Sequence, residues 1–328
     1  IDSLMRPGSE RNVAVLQQAG VEVIRGDVRC ATDFDALPKV DWVIDAAANP
    51  SVLAGLSATS GSRQLLEHNL LGSINVLEFC RRHGAGFILL STSRVYSIAA
   101  LAGLPLIIRN GAFVLDEKQS LPAGISFRGV KEEFSTAAPI SLYGSTKLAL
   151  EVLALEYANS FGFPVWIDRC GVMAGAGQFG TAEQGIFSYW IHAYAARQPL
   201  CYIGFDGKGY QSRDVLHPDD LAGLLWKQMH YQGKLPTRLF TVGGGRVMSL
   251  NQLSAWCAER LGEHHVTGDL HQRPFDLPWL AMDSTLAEST FGWRAEKTLN
   301  SILNEIMDHA HQHPGWLDLA RGGTKSRA

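Results

Sequence analysis

The chain has 328 residues, a formal net charge of −3 and 46% hydrophobic residues, enough to bury a sizeable core in one large domain or two coupled ones. With no basic excess and no Lys/Arg-rich run, the composition argues against a nucleic-acid binder, and no apolar stretch is long enough to span a bilayer. Cys30, Cys80, Cys170, Cys201 and Cys257 are odd in number, scattered and never C-x-x-C, which points to free thiols in a reducing, cytoplasmic setting rather than disulfides or zinc.

The opening I-D-S-L-M-R-P-G-S reads as the end of a strand running into a turn, so the chain is expected to start inside a fold. Short apolar runs at Val21–Ile24, Val40–Ala46, Phe87–Leu90 and Phe163–Ile167 suit buried parallel strands. Helical patterns over Glu10–Gln18, Leu65–Arg82 and Ser145–Phe161 alternate with them, closed by Gly20, Gly84 and Gly162. Strand–helix repetition of this kind implies a doubly wound parallel α/β sheet. Residues 97–140 interrupt the pattern as a long insertion near the sheet's carboxyl edge, and loops of that length are uncommon unless functional. After residue 174 the texture changes to Gly-rich turns and aromatics, with helices expected near Gly185–Ala196, Pro218–His230, Leu250–Leu261 and Leu299–His311. Arg321–Ala328 reads as a frayed tail.

The stretch S-L-Y-G-S-T-K places Tyr143 and Lys147 four residues apart, on one face of a helix. An ammonium beside a phenol favours the phenolate and equips it to exchange protons with a hydroxyl near neutral pH. Taken alone, the pair is equally well a surface pair. Its context is S-T-S-R-V-Y, residues 91–96, which follows an apolar run. It therefore sits at the carboxyl end of a strand, where open α/β sheets bind ligands. Gly243-Gly244-Gly245 follows a strand but stands too far from the next helix for a phosphate cradle, so it reads as a turn. His309, His311 and His313 recur every second residue and splay around a helix, which disfavours a metal site.

These segments, taken together, resemble the extended short-chain dehydrogenase/reductases of the NAD-dependent epimerase/dehydratase family. Asp2-Ser3-Leu4 is similar to the acidic strand end that holds the adenosine ribose; Asp2 favours NAD over NADP. Gly26-Asp27-Val28-Arg29 resembles the segment that contacts adenine, and Ala46-Ala47-Ala48 the small-residue turn under the cofactor. N-L-L-G-S carries Asn69 as a cofactor-side residue. Thr92, Tyr143 and Lys147 match the catalytic triad, with Tyr143 and Lys147 also expected at the cofactor. In the run 204–220 Arg213 resembles the arginine that binds a substrate diphosphate. R-P-F-D adds Arg273 and Asp276 as substrate residues, and F-G-W at 291–293 resembles the closing L-G-W. The likeness is to the CDP-paratose 2-epimerase branch, carried by Q-F-G-T-A-E-Q-G, which includes Gln178, by S-R-D-V-L-H and by Thr92-Ser93-Arg94.

The resemblance implies a Rossmann-like sheet with a smaller interleaved domain. The expected division is 1–173, completed by part of 213–242, for NAD, and 174–212 with 243–320 for substrate. It implies epimerisation of a nucleotide-diphosphate sugar, a CDP-sugar favoured and C2 the inverted carbon, in a possible homodimer. A 4-epimerase, a keto-sugar reductase and a catalytically silent binding module remain open. Three departures stand out. Val172 and Ala174 replace the polar and aromatic members of R-x-x-N-x-Y-G. Ser93 and Arg94 occupy the places where 4,6-dehydratases carry Asp-Glu, which disfavours dehydration. The G-x-x-G-x-x-G loop that should precede the acidic residue by roughly 20 residues has no room before Asp2. First strand, phosphate loop and first helix are therefore expected to be missing from a truncated chain, weakening its grip on NAD.

Overall fold

A computed structural model of the chain describes residues 1–56, 61–233, 235 and 237–320; the tail expected at Arg321–Ala328 lies outside them. A four-stranded parallel sheet has the order β1 (Trp42–Asp45), β2 (Gly86–Thr92), β3 (Val165–Cys170), β5 (Leu239–Val242). The intervening strand β4 (Ser212–Leu216) belongs to a separate sheet. Alternate residues of the sheet's two central strands serve opposite layers, as the period of two requires. Phe87, Leu89, Val165 and Ile167 face a core shared with helices α1 (Gly72–His83) and α2 (Ser141–Phe161). Ile88 and Trp166 face another, shared with helix α3 (Pro218–Met229) and the Phe291–Trp293 stretch. A parallel sheet covered on both faces explains why its strands read as nearly continuous apolar runs.

Three expectations change. Val21–Ile24 forms no strand: only Arg25 makes a single parallel bridge, to Asp2. The partner segment turns away at Leu4 (φ 55°), held by the Leu4 N–H donating to Asp2 Oδ1 at 2.7 Å, so the ladder cannot lengthen and Val21 stays 48% exposed. The helix expected over Leu65–Arg82 runs from Ser62 to His83 but widens into a π-helical turn at Glu67–Leu71, and Asn69 lies in that turn. The Tyr143 helix starts at Ser141 rather than Ser145, so Tyr143 stands in its first turn; Gly84 and Gly162 close α1 and α2 in the left-handed conformation, as read.

Residues 97–140 are ordered. They form a short helix at Ile98–Ala102 and a hairpin of Leu106–Arg109 with Ala112–Leu115. Leu101, Leu115, Val130 and Phe134 pack on Trp279–Met282. The insertion thus braces the segment that follows R-P-F-D. Gly243 and Gly244 prove to be packing glycines, while Gly245 takes the left-handed φ of 66° that a turn uses. A Cβ at Gly243 would meet Asp214 Oδ2 at 1.9 Å, and one at Gly244 the Val215 carbonyl at 1.7 Å.

Candidate active site

β2 ends at Thr92 and the chain at once turns through Ser93–Val95. The Arg94 N–H donates to Thr92 Oγ1 at 3.2 Å, which fixes the hydroxyl at the strand's carboxyl end. Gly144 brings the facing helix close: a Cβ there would lie 2.3 Å from the Arg94 carbonyl oxygen. The Tyr143 phenol and the Thr92 hydroxyl consequently line the same cavity. Burial pushes this phenol up, while the Thr92 hydrogen bond and the positive charge of Arg94 pull it down.

Lys147 is 2% exposed one turn further on. Burial pushes its ammonium down, and the nearby charges of Asp45, Cys170 and Glu151 pull it back up. Lys147 follows Tyr143 by one helical turn on α2, and the charge of Arg94 also acts on the phenol. Below Lys147 a buried network closes the floor. Glu151 receives Arg169 Nη2 at 2.7 Å and the Ser91 hydroxyl. Arg169 lies over the Tyr96 ring at 5.0 Å and donates to the Glu132 carbonyl. Asp45 accepts the Ser73 hydroxyl at 2.5 Å.

A cavity of about 260 Å³ opens from Thr92 and Tyr143 and is walled by Arg94, Gln178, Arg213, Arg273 and Asp276, among others. The R-P-F-D turn gathers the cations. Arg213 Nη2 donates to Asp276 Oδ1 at 2.7 Å, Arg94 Nη1 to the Phe275 carbonyl at 3.1 Å, and Arg273 Nη1 to the Ala182 carbonyl at 2.7 Å. Phe275 adopts a left-handed φ of 60° to present that carbonyl. Gln178 donates Nε2 to the Met173 carbonyl at 3.0 Å. The wall offers fixed donors of the kind that hold a diphosphate.

A second cavity of about 500 Å³, sharing Pro50 and Gln184 with the first, runs past Asp2, Asp27, Val28 and Ala46-Ala47-Ala48. Asp2 is exposed at its edge. Asp27 is held at about 2 by its hydrogen bond and ion pair with Arg29, so its carboxylate is already engaged. Asn69 does not line this cavity. It is fully buried, and its amide accepts the Asn49 N–H at 2.7 Å and donates to the Asn49 carbonyl and Thr146 Oγ1. Asn69 thereby fixes the backbone of Asn49, which lines the cavity. Gly72 in the same motif lets Val28 pack close, where a Cβ would meet its Cγ2 at 2.6 Å.

Residues 2–243 match the NAD dependent epimerase/dehydratase family. The chain belongs to that family. Its members are NAD-dependent enzymes, and NAD is the cofactor. The chain is 27% identical to a CDP-paratose 2-epimerase of Salmonella typhi over 265 residues, 77% of this chain and 73% of that protein. It is 24% identical to a dTDP-glucose 4,6-dehydratase of Streptomyces antibioticus over 96% of this chain and 83% of the other. Among solved structures, a UDP-glucose 4-epimerase from Bifidobacterium longum in complex with NAD+ and UDP shares the fold. Its TM-score is 0.75 at 20% identity, covering 96% of this chain and 91% of that one.

The departures from the epimerase/dehydratase pattern also find their places. Ala174 is fully buried in the core beneath helix Ile186–Ala195. Val172 lines the catalytic cavity and pairs with Val215. In S-R-D-V-L-H, Asp214 receives the Gly244 and Met282 N–H groups at 3.0 and 3.1 Å, and His217 caps α3. Among the described residues no group of three His, Cys, Asp or Glu could hold a metal. His309 instead meets His192 at 3.1 Å. Asp45, Glu151, Gly144 and Gln211 escaped the sequence reading. Glu151 was legible, since it continues the i, i+4 face of Tyr143 and Lys147.

Proposed function

We propose that this enzyme epimerises a nucleotide-diphosphate sugar through a transient keto-sugar, at C2 of a CDP-dideoxyhexose. The observation that carries this reading is the cavity in which Thr92 and Tyr143 face Arg213, Arg273 and Asp276. The 500 Å³ cavity beyond suits an adenosine end, with the Asp2 carboxylate for ribose hydroxyls and small alanines for close approach. When bound there, NAD supplies the hydride acceptor and donor. The chain's residues do the rest. Tyr143 Oη takes the proton of the reacting hydroxyl and later returns it; Thr92 orients that hydroxyl. Lys147 holds the nicotinamide ribose. Arg213 and Arg273 hold the diphosphate, with Gln178 and Asp276 beside it. The sugar, once flat at the keto carbon, is free to present its other face.

Arg94 stands where a dehydratase would carry a carboxylate, and this favours epimerisation over water loss. The same reading divides the chain into a cofactor part, 1–173 with part of 213–242, and a substrate part, 174–212 with 243–320. It also pairs two copies through helices that expose Leu66, Leu71, Val152 and Phe161, which sedimentation would register as a homodimer.

The test is incubation with CDP-paratose, CDP-tyvelose and UDP- and dTDP-hexoses in the presence of NAD. Inversion at C2 of a CDP-sugar is expected, with Tyr143→Phe slower by about 10²–10⁴-fold. Inversion at C4 would replace the C2 assignment, and net consumption of reduced cofactor would make the protein a reductase. Binding without turnover, unaffected by Tyr143→Phe, would mark a silent module.

A further inference from the structure

The segment 178–185 walls both cavities. Gln178, Ala182, Glu183, Gln184 and Gly185 line the one beside Tyr143, and Gln184 also lines the one beside Asp2. Thr181 and Gln184 exchange two backbone hydrogen bonds, at 2.7 and 3.2 Å, which make the segment a stiff unit. It contains no strand or helix of its own, so its place in the wall depends on what it is tied to. One end enters the helix Ile186–Ala195 through Gly185. The other end, Gln178-Phe179, is tied by two remote parts of the chain. Trp316 opens the short helix Trp316–Ala320. Its indole Nε1 donates to the Gln178 carbonyl at 3.1 Å, beside the Ser188 hydroxyl at 2.9 Å. Its ring lies flat on Phe179, with centroids 4.7 Å and planes 7° apart, and His309 meets it edge-on at 4.6 Å. Near the start of the chain, Arg6 Nη2 donates to the Phe179 carbonyl at 2.7 Å. Gly8 makes room for the ring: a Cβ there would lie 2.6 Å from Phe179 Cε1.

We propose that Trp316 is a positioning residue for the substrate: by clamping Gln178-Phe179 it sets where the 178–185 segment stands in the cavity wall, and with it where Arg273 meets the diphosphate. This rests on the reading of that cavity as a nucleotide-diphosphate sugar site. The link to Arg273 is direct, because its Nη1 donates to the Ala182 carbonyl in the middle of the segment. Trp316 itself lines neither cavity and acts only through the segment. A wall already held in place spares the ligand the cost of ordering it on binding. Thr92 and Tyr143 stand on β2 and α2, outside the segment, so the clamp bears on binding rather than on proton transfer. Arg6 lines the cofactor cavity and pins the same peptide from that side. Trp316 is therefore the tether whose removal separates the substrate's share of the segment from the cofactor's.

The test compares the wild type with Trp316→Leu and Trp316→Phe. Calorimetry with CDP, UDP and dTDP reads the diphosphate site without a sugar, and calorimetry with NAD reads the other cavity. Trp316→Leu should weaken the tightest of the three diphosphates about tenfold and leave NAD within about twofold. Trp316→Phe keeps an aromatic face for Phe179 and should recover most of that loss. In turnover, KM for the sugar should rise about tenfold in Trp316→Leu with kcat within about twofold, the pattern of lost uniform binding. Amide hydrogen exchange at residues 180–184 should quicken about tenfold in the same variant. Where Trp316→Leu does not fold, Phe179→Leu removes the stack from its other member and carries the comparison. Unchanged diphosphate affinity and KM in a folded variant overturn the proposal. So does a fall in kcat with KM unmoved, or an equal loss of NAD and diphosphate binding. A wild type that binds none of the three diphosphates sinks the nucleotide-sugar reading, while the exchange rates still decide whether Trp316 holds the segment.

Discussion

The two ends of the cleft are built differently. At the catalytic end every group that matters is fixed by buried neighbours: Thr92 by the Arg94 N–H, Arg213 by Asp276, and Lys147 above the Glu151–Arg169 pair. At the cofactor end Asp2 is exposed and joined to the sheet by one bridge, and Asp27 is engaged by its own neighbour Arg29. The contrast teaches where geometry is demanded. Proton transfer between positioned groups tolerates little displacement, whereas a ribose can be held by a carboxylate on a less constrained strand end.

The sharpest challenge to that contrast is Glu151→Gln. It leaves the Arg169 guanidinium buried without its carboxylate, and the expected loss is about 3–5 kcal/mol in urea unfolding. A loss below 1 kcal/mol would mean the floor of the site is not the rigid element described here. Asp168 probes the same sheet by pH. Burial pushes its carboxyl up to about 7, so its contribution to stability is fully present below the ordinary carboxylate range and is lost as pH rises through about 7. Asp168→Asn should therefore flatten the stability profile and make the protein more stable than wild type at pH 8, by roughly 2–4 kcal/mol. Thermal melts between pH 5 and 8 would show it, and parallel profiles would refute it.

Gly144→Ala comes next. Its new Cβ has to push the Arg94 carbonyl away, at an expected cost of about 1–3 kcal/mol in stability and about 10²-fold in kcat. Both are read from one purified variant, and an unaffected kcat would show that the spacing of Thr92 and Tyr143 is slack. Asp2→Ala should cost least. Calorimetry should show NAD binding weakened about tenfold, as for one charge-assisted hydrogen bond, with stability unchanged within about 0.5 kcal/mol. A stability loss as large as that of Glu151→Gln would erase the contrast between the two ends.

Much of this was legible in the residues themselves. Short apolar runs and helical patterns located β1, β2, β3 and the major helices, because a sheet covered on both faces writes its burial directly into composition. S-T-S-R-V-Y and S-L-Y-G-S-T-K were each ambiguous alone and became informative in sequence. What could not be read were features set by distant partners. The π-helical turn at Asn69 depends on Asn49 and Thr146, and the missing strand at Val21–Ile24 depends on Leu4 turning away. Gly243 and Gly244 looked like a turn, but their reason lies in the crowding against Asp214 and Val215. The anchoring of the Arg94 guanidinium depends on Phe275, 181 residues further along the chain.

The close approach at Gly144 has a consequence for anyone redesigning this pocket. Because it is a backbone-to-backbone contact, it sets the spacing of the reacting groups independently of what lines the rest of the cavity. Val172, Gln178, Glu183 and Gln211 can therefore be varied as a library to accept other sugars or bases while the reaction centre keeps its gauge, provided positions 92, 94, 143 and 144 are left as they are.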